Sequence, residues 1–147
     1  MDENAYKQTY NAVNRIVCPF ENAILTGRFV CEKSAQIHLA ERVAVSCSAE
    51  EIREGCAELL GLLHHNAMFA LKLTHLDEVL PHAKEMKVQC GGLLGLQTAV
   101  RPDLAEAAGV ENIFALVETA QGQFGSLDAL PFQEIVKAVS AFQIRRR

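Results

Sequence analysis

Along most of the chain apolar residues recur at intervals of three and four, the period of a helix that buries one face. The longest such run lies between Ala49 and Leu73. At 100° per residue, Ile52, Cys56, Leu59, Leu60, Leu63, Ala67, Ala70 and Leu71 fall in one sector, with Glu54, Glu58, Gly61, His65 and Lys72 opposite. Ser48 and Glu51 have the spacing of a capping box and predict the start of this helix. Asn66 falls on its apolar side, where an amide needs hydrogen-bond partners. A first helix is expected over 5–17, on a stripe of Tyr6, Tyr10, Val13 and Val17. A second starts at Pro19, with Cys18 at its cap and Glu21 in its first turn, and either continues to about Ser46 or breaks near Gly27. The helix from Pro81 carries His82, Met86, Gln89, Cys90, Leu93 and Gln97 on one face and Gly91 and Gly95 on another. Beyond it come a short turn from Pro102, a helix over 111–124 bearing Ile113, Phe114, Leu116 and Val117, and a last helix with Phe132, Ile135, Val136, Val139 and Phe142.

Each of Pro19, Pro81, Pro102 and Pro131 precedes an apolar period, and proline is favoured at the first helical position. There is no strict alternation and no Asn-Gly or Asp-Gly hairpin signal. The expected fold is therefore all-α: a single-domain bundle of about six or seven helices over 1–147. Within it, 1–100 would supply the cysteine-bearing core helices and 101–147 the C-terminal helices packed on them.

Composition narrows the function more than the fold. Half of the 147 residues are hydrophobic and 22% are charged, which argues against wholesale disorder and allows an ordinary core. A net charge of -4 argues against nucleic-acid binding, since phosphate neutralisation needs clustered Lys and Arg. The basic run Arg145 to Arg147 reads as a complement to a helix C-terminus or a solvated tail. The longest uncharged stretch, Val88 to Val100, falls short of the about 20 apolar residues that span a bilayer. The N-terminus lacks a positive start followed by an apolar run. A soluble, cytoplasmic protein with reduced thiols and no membrane partner is the expectation.

Five cysteines are then the main chemical resource. Cys18, Cys31, Cys47 and Cys56 are separated by 12, 15 and 8 residues, and Cys90 lies further on. These are not the close pairs of structural zinc sites, where two thiolates on one tight turn reach the ion at about 2.3 Å. An iron–sulfur cluster tolerates wider separation, because its larger core takes thiolates from different elements. All five are candidate metal ligands. Cys18 and Cys47 fall just before expected helix starts, where amides and the helix dipole favour thiolate. On a continuous helix Cys31 and His38 would share a face about 10 Å apart, which makes His38 a neighbour of the centre and not a co-ligand. Arg28, Arg42 and His38 would tune its charge, and His82 with Gln89 would line a ligand pocket beside Cys90. The alternatives to an iron–sulfur cluster are zinc or no cofactor, the last following if the free cysteines pack as small hydrophobes, as expected for Cys56 on its core face.

The chain has no Glu-x-x-His, P-loop, dinucleotide glycine fingerprint, Gly-x-Ser-x-Gly or His-Glu-x-x-His. A classical enzyme is disfavoured. The leading expectation is an iron–sulfur protein for electron transfer or redox sensing, with a protein redox partner or larger complex. The rival is a non-catalytic interaction or regulatory subunit that docks through its C-terminal helix or the Gly91/Gly95 surface, to another protein or a second copy. A third reading, redox chemistry at Cys90, requires a low thiol pKa and a nearby resolving cysteine.

Overall fold

The computed structural model describes residues 16–72 and 80–143. The helix expected over 5–17 therefore lies, but for its last two residues, outside the described residues, as does the Arg145 to Arg147 run. From Pro19 the chain makes one short helix, α1 (Glu21–Leu25), and leaves it through Gly27 at φ 84, a left-handed conformation that suits glycine. The next segment corrects the all-α expectation. Instead of continuing as helix, the chain forms an antiparallel hairpin of β1 (Ser34–Leu39) and β2 (Arg42–Cys47). The register runs from Ser34 opposite Cys47 to Leu39 opposite Arg42.

The physical reason lies in packing. Ile37, Leu39, Val43 and Val45 suit a pleated, half-buried surface, and Leu39, Ala44 and Val45 are buried. The turn between the strands is Ala40-Glu41, with Ala40 at φ 56, so the residue types that announce a hairpin are missing. The fold is thus a mixed one, with five helical bodies and a two-stranded sheet among the described residues.

The long helix α2 (Glu50–Ala67) buries Cys56, Leu59, Leu63 and Ala67, the core face its periodicity predicts. Its start differs from expectation. Ala49 is the N-cap and no side chain caps it; the Ser48 amide instead donates to the Lys33 carbonyl, tying the helix entry to the start of β1. Asn66 is exposed, not core-facing, and its Nδ2 donates back to the Leu62 carbonyl at 2.7 Å. The next helical body has three parts: α3 (His82–Met86), a π-helical turn (Lys87–Gly91) and α4 (Gly92–Val100). Here Gly91 and Gly95 meet α6 (Phe132–Ala141). A Cβ at Gly91 would lie 2.6 Å from Val139 Cα and 2.8 Å from the Ala138 carbonyl oxygen, and one at Gly95 would lie 3.0 Å from Ile135 Cα. The glycines let the two backbones approach, and Lys87 Nζ closes the contact by donating to the Ser140 and Phe142 carbonyls at the end of α6. Both faces offered as docking surfaces are consequently used inside the fold: Ile135 and Val139 are fully buried.

Helix α5 (Ile113–Phe124) packs against α4 and fills the core with Ile113, Leu116, Val117 and Ala120. The segment before it pairs with the segment after α1. Val110 N–H donates to the Arg28 carbonyl, Val30 N–H to the Val110 carbonyl, and Ile113 N–H to the Val30 carbonyl. No helix among the described residues is long and apolar enough to cross a membrane.

Candidate functional site

Backbone pairing brings the first four cysteines towards one another. Val17 bridges Ser46 antiparallel, with Cys18 N–H on the Val45 carbonyl and Cys47 N–H on the Ile16 carbonyl. Cys18 and Cys47 are therefore diagonal neighbours on one face of this ladder, a relation that places Cα atoms about 7–8 Å apart. Cys47 ends β2, and Cys56 stands in the second turn of α2 on its core face. Cys31 is fixed from both sides. Val30 pairs with Val110 and Ile113, while Glu32 and Asn112 exchange two bonds, Glu32 N–H to Asn112 Oδ1 at 3.2 Å and Asn112 Nδ2 to Glu32 Oε1 at 2.7 Å.

Charge coupling reports the same convergence. Burial pushes the Cys18 thiol up to about 12; the Phe20 amide works against that rise, and the nearby Cys31, Cys56 and Cys47 add to it. Burial likewise pushes Cys56 up to about 12, with Cys31 and Cys47 adding to the rise. Cys18, Cys47 and Cys56 are buried and Cys31 is half-buried; all are free thiols. Among the described residues no three His, Cys, Asp or Glu groups are close enough to hold one metal ion. A tetrahedral ion with sulfurs at about 2.3 Å would bring those sulfurs to about 3.8 Å from each other. A multinuclear core spreads its thiolates further.

Cys90 is elsewhere. It sits in the π-helical turn, fully buried, and burial pushes it up to about 12 while Arg28 alone pulls the other way. A thiol so placed is protonated at neutral pH, which removes the condition that a reactive Cys90 needs. His38 and Arg42 are exposed on the hairpin, on strands and not on a helix with Cys31, and Arg28 is exposed beside the Cys90 region. His82 is exposed at the start of α3.

Gln89 proves to belong to a network that periodicity does not reveal. Its Oε1 accepts from the Ala23 amide at 3.0 Å, and its Nε2 donates to Glu85 Oε2 at 2.9 Å. Glu85 Oε1 lies 2.9 Å from His64 Nε2. These side chains line a cavity of about 460 Å³ that also touches Cys18, Glu21, Asn22 and Arg53, so one polar wall lies close to the thiol region. The i, i+4 spacing of Glu85 and Gln89 is legible in sequence. His64, 21 residues away on α2, is not.

Burial pushes the Glu85 carboxyl up, but the hydrogen bonds from His64 and Gln89 and the charges of His64 and His82 outweigh it and hold the group below its ordinary value. A carboxyl lowered by folding stabilises the fold above its unfolded pKa, near 4.5, and loses that contribution as pH falls through the lower folded value. The difference between wild type and Glu85→Gln in urea unfolding should therefore be larger at about pH 6 than at low pH, shrinking as the pH falls below 4.5 and through the lowered Glu85 value. An equal difference at both pH values would show that the carboxylate charge is not what stabilises this contact.

No protein-family model, curated protein or solved structure matches the chain.

Proposed function

We propose that Cys18, Cys31, Cys47 and Cys56 hold an iron–sulfur cluster, and that the protein serves electron transfer or redox sensing in a reducing, cytoplasmic setting with a redox partner. The observation that carries this reading is that four free thiols from four separated segments share one region, where the Val17–Ser46 ladder places Cys18 beside Cys47 and where Cys31 and Cys47 act on both Cys18 and Cys56. Two of these thiols have values near 12, so as free groups they stay protonated and inert. A bound cationic centre reverses that balance, because coordination deprotonates a thiol outright. Burial then has a use: it excludes water from the centre and makes each remaining amide and charge count for more. The cluster supplies one-electron chemistry. The chain's own contribution is positional. The ladder at Val17 and Ser46 orients Cys18 and Cys47, the first turns of α2 orient Cys56, and the bonds from Val110, Asn112 and Ile113 orient Cys31.

Cys90 stands outside this set because its charge partner is Arg28 and no other cysteine. Protein purified without oxygen should be brown, with near-stoichiometric iron and sulfide. Cys18→Ser, Cys47→Ser and Cys56→Ser should each lose most of the visible absorbance, and Cys90→Ser should keep it. A folded, colourless protein without metal would overturn the proposal and leave the cysteines as packing residues; one zinc per chain would replace the cluster with a mononuclear site.

A further inference from the structure

Arg28 and Val30, with residues from 97–119, line a cavity of about 530 Å³, within the size range of small-molecule sites. Most of its wall is apolar, from Val30, Val100, Leu104, Val110, Leu116 and neighbouring alanines. The polar wall residues are Arg28, Gln97, Arg101, Glu111, Asn112 and Thr119, so two cationic groups face one carboxylate, and Asn112 is taken up by Glu32. Two features stand out among them. Gln97 lines the cavity although it is only 6% exposed. Its Nε2 donates to the Gly109 carbonyl at 3.0 Å, which fixes the amide orientation and leaves Oε1 with no donor among the described residues. Oε1 thus has acceptor capacity to spare, and a ligand that donates a hydrogen bond there would use it. The second feature is Arg28. Arg101, also on the wall, is already held by Asp103 through two bonds at 3.0 and 2.7 Å. Arg28 has no carboxylate partner among the described residues.

The walls are firm. The Arg28, Val30, Val110 and Ile113 backbones are bonded to one another, and Gly109 is pressed so closely on the Arg28 carbonyl that a Cβ there would overlap it. The cavity is therefore set before any ligand arrives, which reduces the ordering cost of binding.

We infer that this cavity binds a small carboxylic acid with an apolar body and a hydrogen-bond donor at its far end, the carboxylate on Arg28, the body against Val30, Val100 and Leu116, and the donor on Gln97 Oε1. This assignment is independent of the thiol site. An arginine fork suits a carboxylate, the apolar lining rejects a fully polar molecule, and the acceptors on the wall, Gln97 Oε1 and the Glu111 carboxylate, select for a hydroxyl or N–H at the other end.

Three related probes separate these contributions by titration into isotopically labelled protein followed by NMR. 4-Hydroxyphenylacetate has all three features, phenylacetate lacks the donor and 4-ethylphenol lacks the carboxylate. The expected result is saturable binding of 4-hydroxyphenylacetate, with shifts concentrated at Val30, Val100, Val110 and Thr119. Phenylacetate and 4-ethylphenol should each bind about tenfold more weakly, the loss appropriate to one buried hydrogen bond or one charge-assisted pair. Arg28→Gln should remove the advantage of the acid over 4-ethylphenol while leaving 4-ethylphenol unchanged. Ala115→Phe, a change at an exposed wall residue, should block all three with the rest of the spectrum intact. Equal binding of the three probes, another order of affinities, shifts outside the cavity or no binding would each overturn the assignment.

Discussion

Gly109→Ala is expected to lower stability by about 2–4 kcal/mol, one of the largest effects of any single methyl added to this chain. The added Cβ would overlap the Arg28 backbone carbonyl, and that carbonyl already accepts the Val110 amide. No flexible side chain stands there to move aside, so the pairing between 28–30 and 109–113 must open. That pairing also positions Cys31, through Val30 and Glu32. A drop in urea midpoint at constant m-value measures the stability loss, and a parallel loss of metal binding would tie the two segments to the thiol site. Gly122→Ala is the control: nothing lies within 4 Å of a Cβ there, and in the interior of α5 the change should stabilise by about 0.5–1 kcal/mol. If Gly109→Ala unfolds at the wild-type midpoint, the close approach of Gly109 to the Arg28 carbonyl is not real.

Phe20→Ala should cost about 3–5 kcal/mol, the range for removing a fully buried aromatic. Phe20 is 0% exposed, sits between Cys18 and α1, and belongs to the cluster that includes Cys56, Leu59 and Val45. Its truncation removes dispersion contacts on every side and leaves a cavity beside two of the proposed ligands. Phe69, by contrast, is 96% exposed, and Phe69→Ser should change stability by no more than about 0.5 kcal/mol. Thermal or urea denaturation of the pair separates a core aromatic from a surface one of identical chemistry.

The contrast between these phenylalanines also shows where sequence reasoning ran out. Phe20 and Phe69 are both next to helices and both within apolar surroundings along the chain; which one is enclosed depends on what folds back over it. The same applies to the glycines. Gly91 and Gly95 signal close approach through their spacing, and α6 supplies the neighbour. Gly109 carries no periodic signal at all, because its neighbour, Arg28, is 81 positions away and joined to it only by tertiary pairing. The network at Gln89 behaves likewise: one local spacing, Glu85 to Gln89, is readable, and the partners His64 and Ala23 come from distant elements.

The sequence by itself determined the core face of α2, the apolar seam of α6, the helix starts near Pro81 and Pro131 and the segment that concentrates the cysteines. These depend on local periodicity and backbone propensity, which act over one or two turns. Only the tertiary structure decided that residues 34–47 form a hairpin. Their alternation is short, their turn holds alanine at positive φ, and burial against α1 and α2 outweighs any local preference. It also decided that Cys18, Cys31, Cys47 and Cys56 share one region while Cys90 does not. Thiols with 12, 15 and 8 residues between them meet here through a ladder, a helix turn and a clamped loop, and no rule of spacing along the chain encodes that combination.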